Sequence, residues 1–376
     1  MNLLNRRDFF YLLGGAAAAG VSMPAFAAGI EDRKFVFVVL RGGLDGLATL
    51  VPTDPALETL RPTLYNVAAD GLSVNSDFRL HPALTHLGHL YKSGDAAFVH
   101  AASTAYRARS HFDGQDLLET LSQPGDRIGW MNRLVGATSS SGLGVGYALP
   151  LALKGPAETT NWAPAAFKPV SGDLLDRLSR LYSADTDMQT ALNMARQTPM
   201  MERELNASTQ RNDAALAEQA FRAMGKLMSE PNGPGIGMIS LDGWDTHANQ
   251  AGALNRRLQL LDASLAALQA ELGTAWGQTC IVLCSEFGRT AAENGTRGTD
   301  HGTGGLMILA GGAVKGGRVF GAWPGVRRSD LREARDLAPV NAVENVLAGL
   351  LRDHLGADPK EIIATGTRPF EGLIQA

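Results

Sequence analysis

Cysteine is almost missing from this chain: Cys280 and Cys284 are the only two among 376 residues. Both lie in one apolar run, Thr279–Ser285. An extended strand would hold their Cα atoms roughly 13 Å apart, whereas a disulfide needs about 7 Å or less. Stability therefore has to come from a buried core and not from covalent staples. Basic residues do not outnumber acidic ones, 34 against 38, and the formal net charge is −4. With no basic cluster, a nucleic-acid partner is not expected. Arg41-Gly42-Gly43-Leu44-Asp45-Gly46 lacks the G-x-G-x-x-G spacing, and the two cysteines do not form an iron–sulfur cluster motif. Those absences rank an oxidoreductase with a bound cofactor last. After the first residues, no apolar run reaches the about 20 residues that a membrane span requires, so the processed chain is not expected to be an integral membrane protein.

The apolar stretch that does exist sits at the start. Asn5-Arg6-Arg7-Asp8-Phe9-Phe10 resembles the twin-arginine export consensus. An apolar run to about Val21 follows, then Ala25-Phe26-Ala27, an A-x-A cleavage pattern. Residues 1–28 are read as a twin-arginine signal peptide, with the translocase as a transient partner and a periplasmic or otherwise extracytoplasmic destination. The remaining residues, 29–376, are enough for one large core.

Lys34–Leu40 is a continuous apolar run ending at Arg41-Gly42-Gly43, as expected of a strand buried on both faces. Similar runs occur at Ala96–Ala101, Tyr147–Leu153, Ile236–Leu241, Thr279–Ser285 and Leu306–Ala310. Helical spacing falls between them, at Asp113–Leu121, Gly172–Tyr182, Met188–Met228, Gln250–Leu272 and Val340–Leu355. The alternation predicts an α/β fold, a mostly parallel sheet sandwiched by helices. Residues 155–230 depart from the rhythm, with a Pro/Ala/Trp-rich loop and long polar helices broken at Pro199. They are read as a helical insertion or cap, and Ser139–Gly146 as a Ser/Gly-rich loop.

In an open α/β sheet, ligands bind beyond the carboxyl ends of the strands. Polar clusters fall at those positions here. Asp45 follows the first strand, and Ser110-His111-Phe112-Asp113 follows Ala96–Ala101 and opens a helix. Asp245 and His247 follow Ile236–Leu241, Glu286 ends Thr279–Ser285, and Asp300-His301 precede Leu306. Carboxylate oxygens and neutral imidazoles are ligands for divalent metals, and flanking glycines let backbone approach an ion. Asp245 and His247 are two apart, so both point the same way in an extended segment. Trp244 would shield one side, with Thr246 and Asn249 available for supporting hydrogen bonds.

Other residues are read two ways. Ser110 suits both a helix cap and a nucleophile, beside a helix N-terminus that favours anions. Arg107 and Arg109 are placed to clamp such an anion. His111 reads as a ligand, as an acid–base group, or as an ordinary helix-start residue. Asp45 before Gly46 is also a turn former, and Arg289 is expected to pair with a carboxylate or a substrate anion.

Four motifs, GGLDGL, SHFDGQDLLE, GWDTHANQ and SEFGRT…ENG…GTDHGTGG, occur in this order. Together they resemble the bacterial "domain of unknown function 1501" family over nearly all of residues 29–376. That family is similar in turn to the alkaline phosphatase–sulfatase superfamily, which hydrolyses or transfers phosphate and sulfate esters over one or two metals. The resemblance implies an alkaline-phosphatase-like fold. It implies Asp45, Asp245, His247, Glu286, Asp300 and His301 as metal residues, and Ser110 as nucleophile with Arg109 and His111 beside it. Two departures stand out. The Asp245/His247 spacing is two where the superfamily has four, and Phe287 follows Glu286 where an Asp-His pair is usual. On the preferred alignment Glu286 stands for that Asp and His301 is a lone later ligand. The alternative makes Asp300-His301 the pair.

The leading expectation is an exported metal-dependent hydrolase of phosphate or sulfate esters. Its cofactor would be a divalent ion such as zinc, manganese or calcium, and its substrate an anionic ester. The alternative is a catalytically inactive relative acting as an envelope binding or assembly protein.

Overall fold

A computed structural model describes residues 33–68, 70–138, 140–146, 148–163, 213–364 and 366–375. The twin-arginine segment and residues 164–212, most of the expected insertion, lie outside the described residues. A compact unit of residues 26–163 and 214–376 carries everything that follows.

Its sheet contains β1 (Lys34–Leu40), β5 (Ala96–Ser103), β6 (Gly142–Val145), β7 (Thr159–Trp162), β8 (Ile236–Leu241), β9 (Thr279–Cys284), β10 (Gly305–Ala310), β11 (Arg318–Phe320) and β12 (Asn341–Ala342). A separate small sheet pairs β2 (Leu50–Pro52), β3 (Leu72–Ser73) and β4 (Phe78–Leu80), with the short helix α1 (Pro55–Leu60) following β2. The large sheet runs β11-β5-β10-β9-β1-β8-β6-β7, with β12 beside β5. All its pairings are parallel except those of β10, which is antiparallel to both β5 and β9. The expected mostly parallel α/β sheet is therefore present. The reversal of β10 matters for function: the loop preceding it emerges at the same edge as the loops following β1, β5, β8 and β9.

β1 illustrates why the apolar runs become central strands. Side chains alternate between faces, and both faces of β1 are covered. Val36, Val38 and Leu40 join one core with residues of α2 (Thr85–Ser93), α5 (Asp213–Ser229) and α6 (Gln250–Leu272). Phe35, Phe37 and Val39 join another with α3 (His111–Thr120), α4 (Trp130–Thr138) and α7 (Val343–Leu355). There Phe37 meets Trp130 edge-on, with centroids 5.2 Å apart. Cys280 and Cys284 are both free and buried on that face, as the spacing predicted.

Two expectations fail on the far side of the sheet. Tyr147–Leu153 is not a strand: its described part is irregular and ends in a short 3₁₀ turn, Leu151–Leu153. The strand lies earlier, within the expected Ser/Gly loop, as β6. Its glycines answer packing and not turning: a Cβ at Gly142 would stand 2.8 Å from Thr159 and 2.9 Å from Val135. β7 is the polar Thr-Thr-Asn-Trp, on the end of the sheet where no apolar run is needed. It belongs to the sheet, so Thr159–Trp162 form a strand where the expected insertion would open. At the other limit, α5 packs Phe221, Met224 and Met228 into the core.

Candidate metal centre

The sheet edge brings loops together so tightly that some positions admit only glycine. Gly42, at φ +118°, would place a Cβ 2.5 Å from the amide nitrogen of Asp245. A Cβ at Gly298 would stand 2.3 Å from the carbonyl carbon of His247. The loops after β1 and β8 and the loop before β10 are thereby locked against one another.

His111, Asp245 and His301 each present one atom within a group no more than 4.8 Å across. His301 Nε2 lies 3.0 Å from His111 Nε2 and 3.0 Å from His247 Nε2. Asp245 Oδ1 lies 3.2 Å from His301 Nε2 and 2.9 Å from His247 Nε2, and Oδ2 lies 3.4 Å from His111 Nε2.

The protonation of these rings follows from their other nitrogens. His111 Nδ1 is 2.6 Å from Glu286 Oε1, His247 Nδ1 is 3.3 Å from Asp300 Oδ1, and His301 Nδ1 is 3.0 Å from the carbonyl oxygen of Arg109. Carboxylate and carbonyl oxygens only accept, so each Nδ1 carries the hydrogen and donates it. Each neutral ring is left with a bare Nε2 lone pair, and all of these face the same small space. Lone pairs cannot hydrogen-bond one another. A single proton would serve one pair, whereas a divalent cation serves every donor at once. Tetrahedral zinc spaces its ligands about 3.3 Å apart; the close donor pairs here lie 2.9 to 3.4 Å apart, within a group up to 4.8 Å across. A donor set of imidazoles and one carboxylate suits zinc among the expected metals. Calcium does not fit, because it takes oxygen ligands.

Electrostatics agree. Burial lowers the His301 pKa, and the adjacent His111 ring opposes a second positive charge there, which favours the neutral ligand form. Burial would raise the Asp245 carboxyl, but the Arg289 hydrogen bond and charge, with His247 and His301, hold it below its ordinary value. The same contest holds at Glu286, where hydrogen bonds from Gln115, the backbone, His111 and Ser285 outweigh burial. The Asp300 carboxyl is lowered chiefly by the Asn294 side chain. Asp245, Glu286 and Asp300 together carry more negative charge than Arg289 offsets.

Several residues expected at the ion are elsewhere. Glu286 is 1% exposed, and Oε1 already accepts from Gly42 N–H and Gln115 as well as His111. It orients His111. Asp300 likewise faces Nδ1 of His247 and the Asn294 amide, so it orients a ring other than that of its neighbour His301. Asp45 is 1% exposed and accepts from Arg61 Nη1 with both oxygens, at 2.9 and 2.8 Å, and from Gln250 at 2.5 Å. A buried guanidinium holds it where the sequence suggested an ion. Arg109 does not offer its guanidinium to a substrate, because Asp336 and Glu333 occupy it.

Other expectations meet the geometry directly. Asp245 and His247 come together, and Arg289, 1% exposed, donates to Asp245 Oδ1 at 2.6 Å. His111 faces the group from the start of α3. Ser110 occupies the N-cap position of α3, yet its hydroxyl makes no capping bond. Phe287, in place of a histidine, lays its ring beside His111 and His301, with centroids 4.9 and 5.1 Å away. Gln115, Arg61 and Asp336 escaped sequence reasoning, since none stands in a metal-ligand pattern.

Solved structures similar to this chain include the C-terminal periplasmic domain of EcEptC from Escherichia coli in complex with zinc, at 11% identity, covering 77% of each chain, with a TM-score of 0.36. The lipoteichoic acid synthase LtaP from Listeria monocytogenes is 9% identical, over 94% of this chain and 78% of that one, with a TM-score of 0.40. BT1596, a 2-O GAG sulfatase, is 9% identical, over 87% and 71%, with a TM-score of 0.43. Likeness at these TM-scores assigns nothing to this chain. No curated protein matches its sequence. The sequence model for "Protein of unknown function (DUF1501)" matches residues 103–365, a stretch that holds His111, Asp245, His247 and His301, and the chain belongs to that family.

Proposed function

We propose that this protein is an exported metal-dependent hydrolase of phosphate or sulfate esters, in which His111, Asp245, His247 and His301 hold a divalent cation, best suited by zinc. One observation carries the reading: bare Nε2 atoms and a carboxylate converge, and every Nδ1 is already engaged. A bound ion would supply Lewis acidity at an ester oxygen and lower the pKa of a hydroxyl or water. Glu286, Asp300 and the Arg109 carbonyl keep the imidazoles in the ligand tautomer. Arg289 orients Asp245. Ser110, with an uncommitted hydroxyl at the start of α3, is the proposed nucleophile, where the helix N-terminus favours an anionic ester. Export rests on Arg6-Arg7 and Ala25-Phe26-Ala27, with the twin-arginine translocase as partner. No described helix is long and apolar enough to cross a membrane.

The test is metal analysis of the exported protein, followed by turnover of p-nitrophenyl phosphate and sulfate. Stoichiometric zinc is expected, and Ser110→Ala should abolish turnover while keeping it. The reading is sunk if no stoichiometric metal is found and Asp245→Ala and His301→Ala leave the melting temperature unchanged with and without chelator. One observation favours the second reading, an envelope binding protein without turnover: Asp45 and Glu286 are both spent inside the protein. Metal uptake with no turnover of either ester would select it.

A further inference from the structure

Asp336 was not singled out by any motif. It is a fully buried carboxylate, 0% exposed, in the segment between β11 and β12. Its side chain is held by two arginines. Oδ2 accepts from Arg109 Nε at 2.9 Å and Nη2 at 2.7 Å, and Oδ1 accepts from Arg335 Nη1 at 2.7 Å. Each arginine then reaches His301. The Arg109 carbonyl oxygen is the acceptor 3.0 Å from His301 Nδ1, and Arg335 Nη1 donates to the His301 carbonyl at 3.0 Å. We propose that Asp336 is a positioning residue for His301, acting from one side through Arg109 and from the other through Arg335.

The backbone shows why an anchor is needed. Arg109 sits at φ +62°, a left-handed conformation that side chains with a Cβ rarely adopt. Glu333, which also accepts from Arg109, sits at φ +56° and Ala334 at φ +51°. Two uncommon turns are thus tied together by one guanidinium. Without that tie Arg109 is free to return to φ below zero, and its carbonyl leaves His301. The imidazole proton then moves from Nδ1 to Nε2, and the lone pair facing the other ligands disappears. Asp336 is bonded to none of the four proposed ligands, so its influence is entirely indirect.

The inference rests on the metal reading for its purpose but not for its test. Nitrogen-15 NMR of histidine-labelled, metal-free protein near neutral pH reports the His301 tautomer, and titration with zinc reports affinity. Wild type should show Nδ1–H at His301. Asp336→Asn should shift the ring toward Nε2–H and weaken zinc binding about tenfold, the lower end for an outer partner of a ligand. Arg109→Ala, which loses the guanidinium but keeps a Cβ that disfavours the left-handed turn, should do the same if Asp336→Asn fails to fold. Asp126→Asn, which loses a distant ion pair with Arg133, should change neither. A lowered denaturation midpoint with unchanged tautomer and zinc affinity would overturn the proposal. If wild type takes up no zinc but the tautomer still shifts, the positioning role stands and the metal reading falls.

Discussion

Asp45 and Asp245 follow neighbouring parallel strands, β1 and β8, and end in opposite states. The Asp45 side chain is 1% exposed and gripped by Arg61, whereas that of Asp245 is 41% exposed and surrounded by imidazoles. A carboxylate fully removed from water must be neutralised within the protein. One left at the surface keeps oxygen lone pairs for an incoming cation. Histidines divide in the same way. His100 is 2% exposed, with Nε2 3.0 Å from the Leu50 carbonyl oxygen and Nδ1 accepting from Ala101 N–H at 2.9 Å. Both of its nitrogens are satisfied, so it requires nothing more. At the centre, each ring has one nitrogen satisfied and one exposed to the others. A residue type becomes functional here when its last bonding site is left open.

The contrast can be tested from the largest effect downward. Arg61→Ala strands a buried carboxylate, and should lower stability by about 3–5 kcal/mol in chelator-treated protein. Denaturant unfolding measures this, and zinc affinity of the folded fraction should hold. A loss under about 1 kcal/mol, within the range of ordinary mutations, would mean that Asp45 does not depend on the guanidinium. His301→Ala should act in reverse. It should weaken zinc binding by about a hundredfold or more, at least the effect of losing an outer partner. Apo stability should change little, and the melting-temperature rise on adding zinc should vanish. An unchanged zinc isotherm would remove His301 from the ligands.

Glu286→Gln keeps the shape but makes a weaker acceptor for His111, and should cost zinc affinity about tenfold. If binding is untouched, Glu286 is simply a buried structural acid. The last effect, gradual in pH, concerns His81 and His100, both lowered by burial from 6.5 to about 4. Between those pH values the unfolded chain takes up protons that the folded chain refuses, so stability is lost as pH falls. The slope should be at most about 1.4 kcal/mol per pH unit for each ring, levelling below pH about 4. Ring-proton NMR should show His100 untitrated at pH about 5; a midpoint near 6.5 would contradict its sealed environment.

Much of the frame was readable in advance. β1, β5, β8, β9 and β10 are apolar runs because strands buried on two faces need apolar residues on both. β6 and β7 escaped notice: close packing demanded Gly142, and β7 at the sheet's end keeps Thr159 and Asn161. At the centre, two-residue spacing made Asp245 and His247 visible as a pair. That Glu286 and Asp300 each face the Nδ1 of a histidine escaped notice for a different reason. A carboxylate that holds an ion and one that holds a histidine's Nδ1 carry the same letter in the sequence. The Glu286–His111 contact joins residues separated by 175 positions, and no local pattern reports it.

By itself, then, the sequence determined which segments must be buried, which strand ends carry polar clusters and which pair of residues shares a direction. These follow from side-chain polarity and from the period of an extended chain, both local properties. Only the tertiary structure decided which acids meet cations, which meet imidazoles and which nitrogen of each histidine stays bare. Those outcomes depend on the antiparallel turn of β10, on arginines brought from distant segments, and on the energetic demand that every buried charge find a partner.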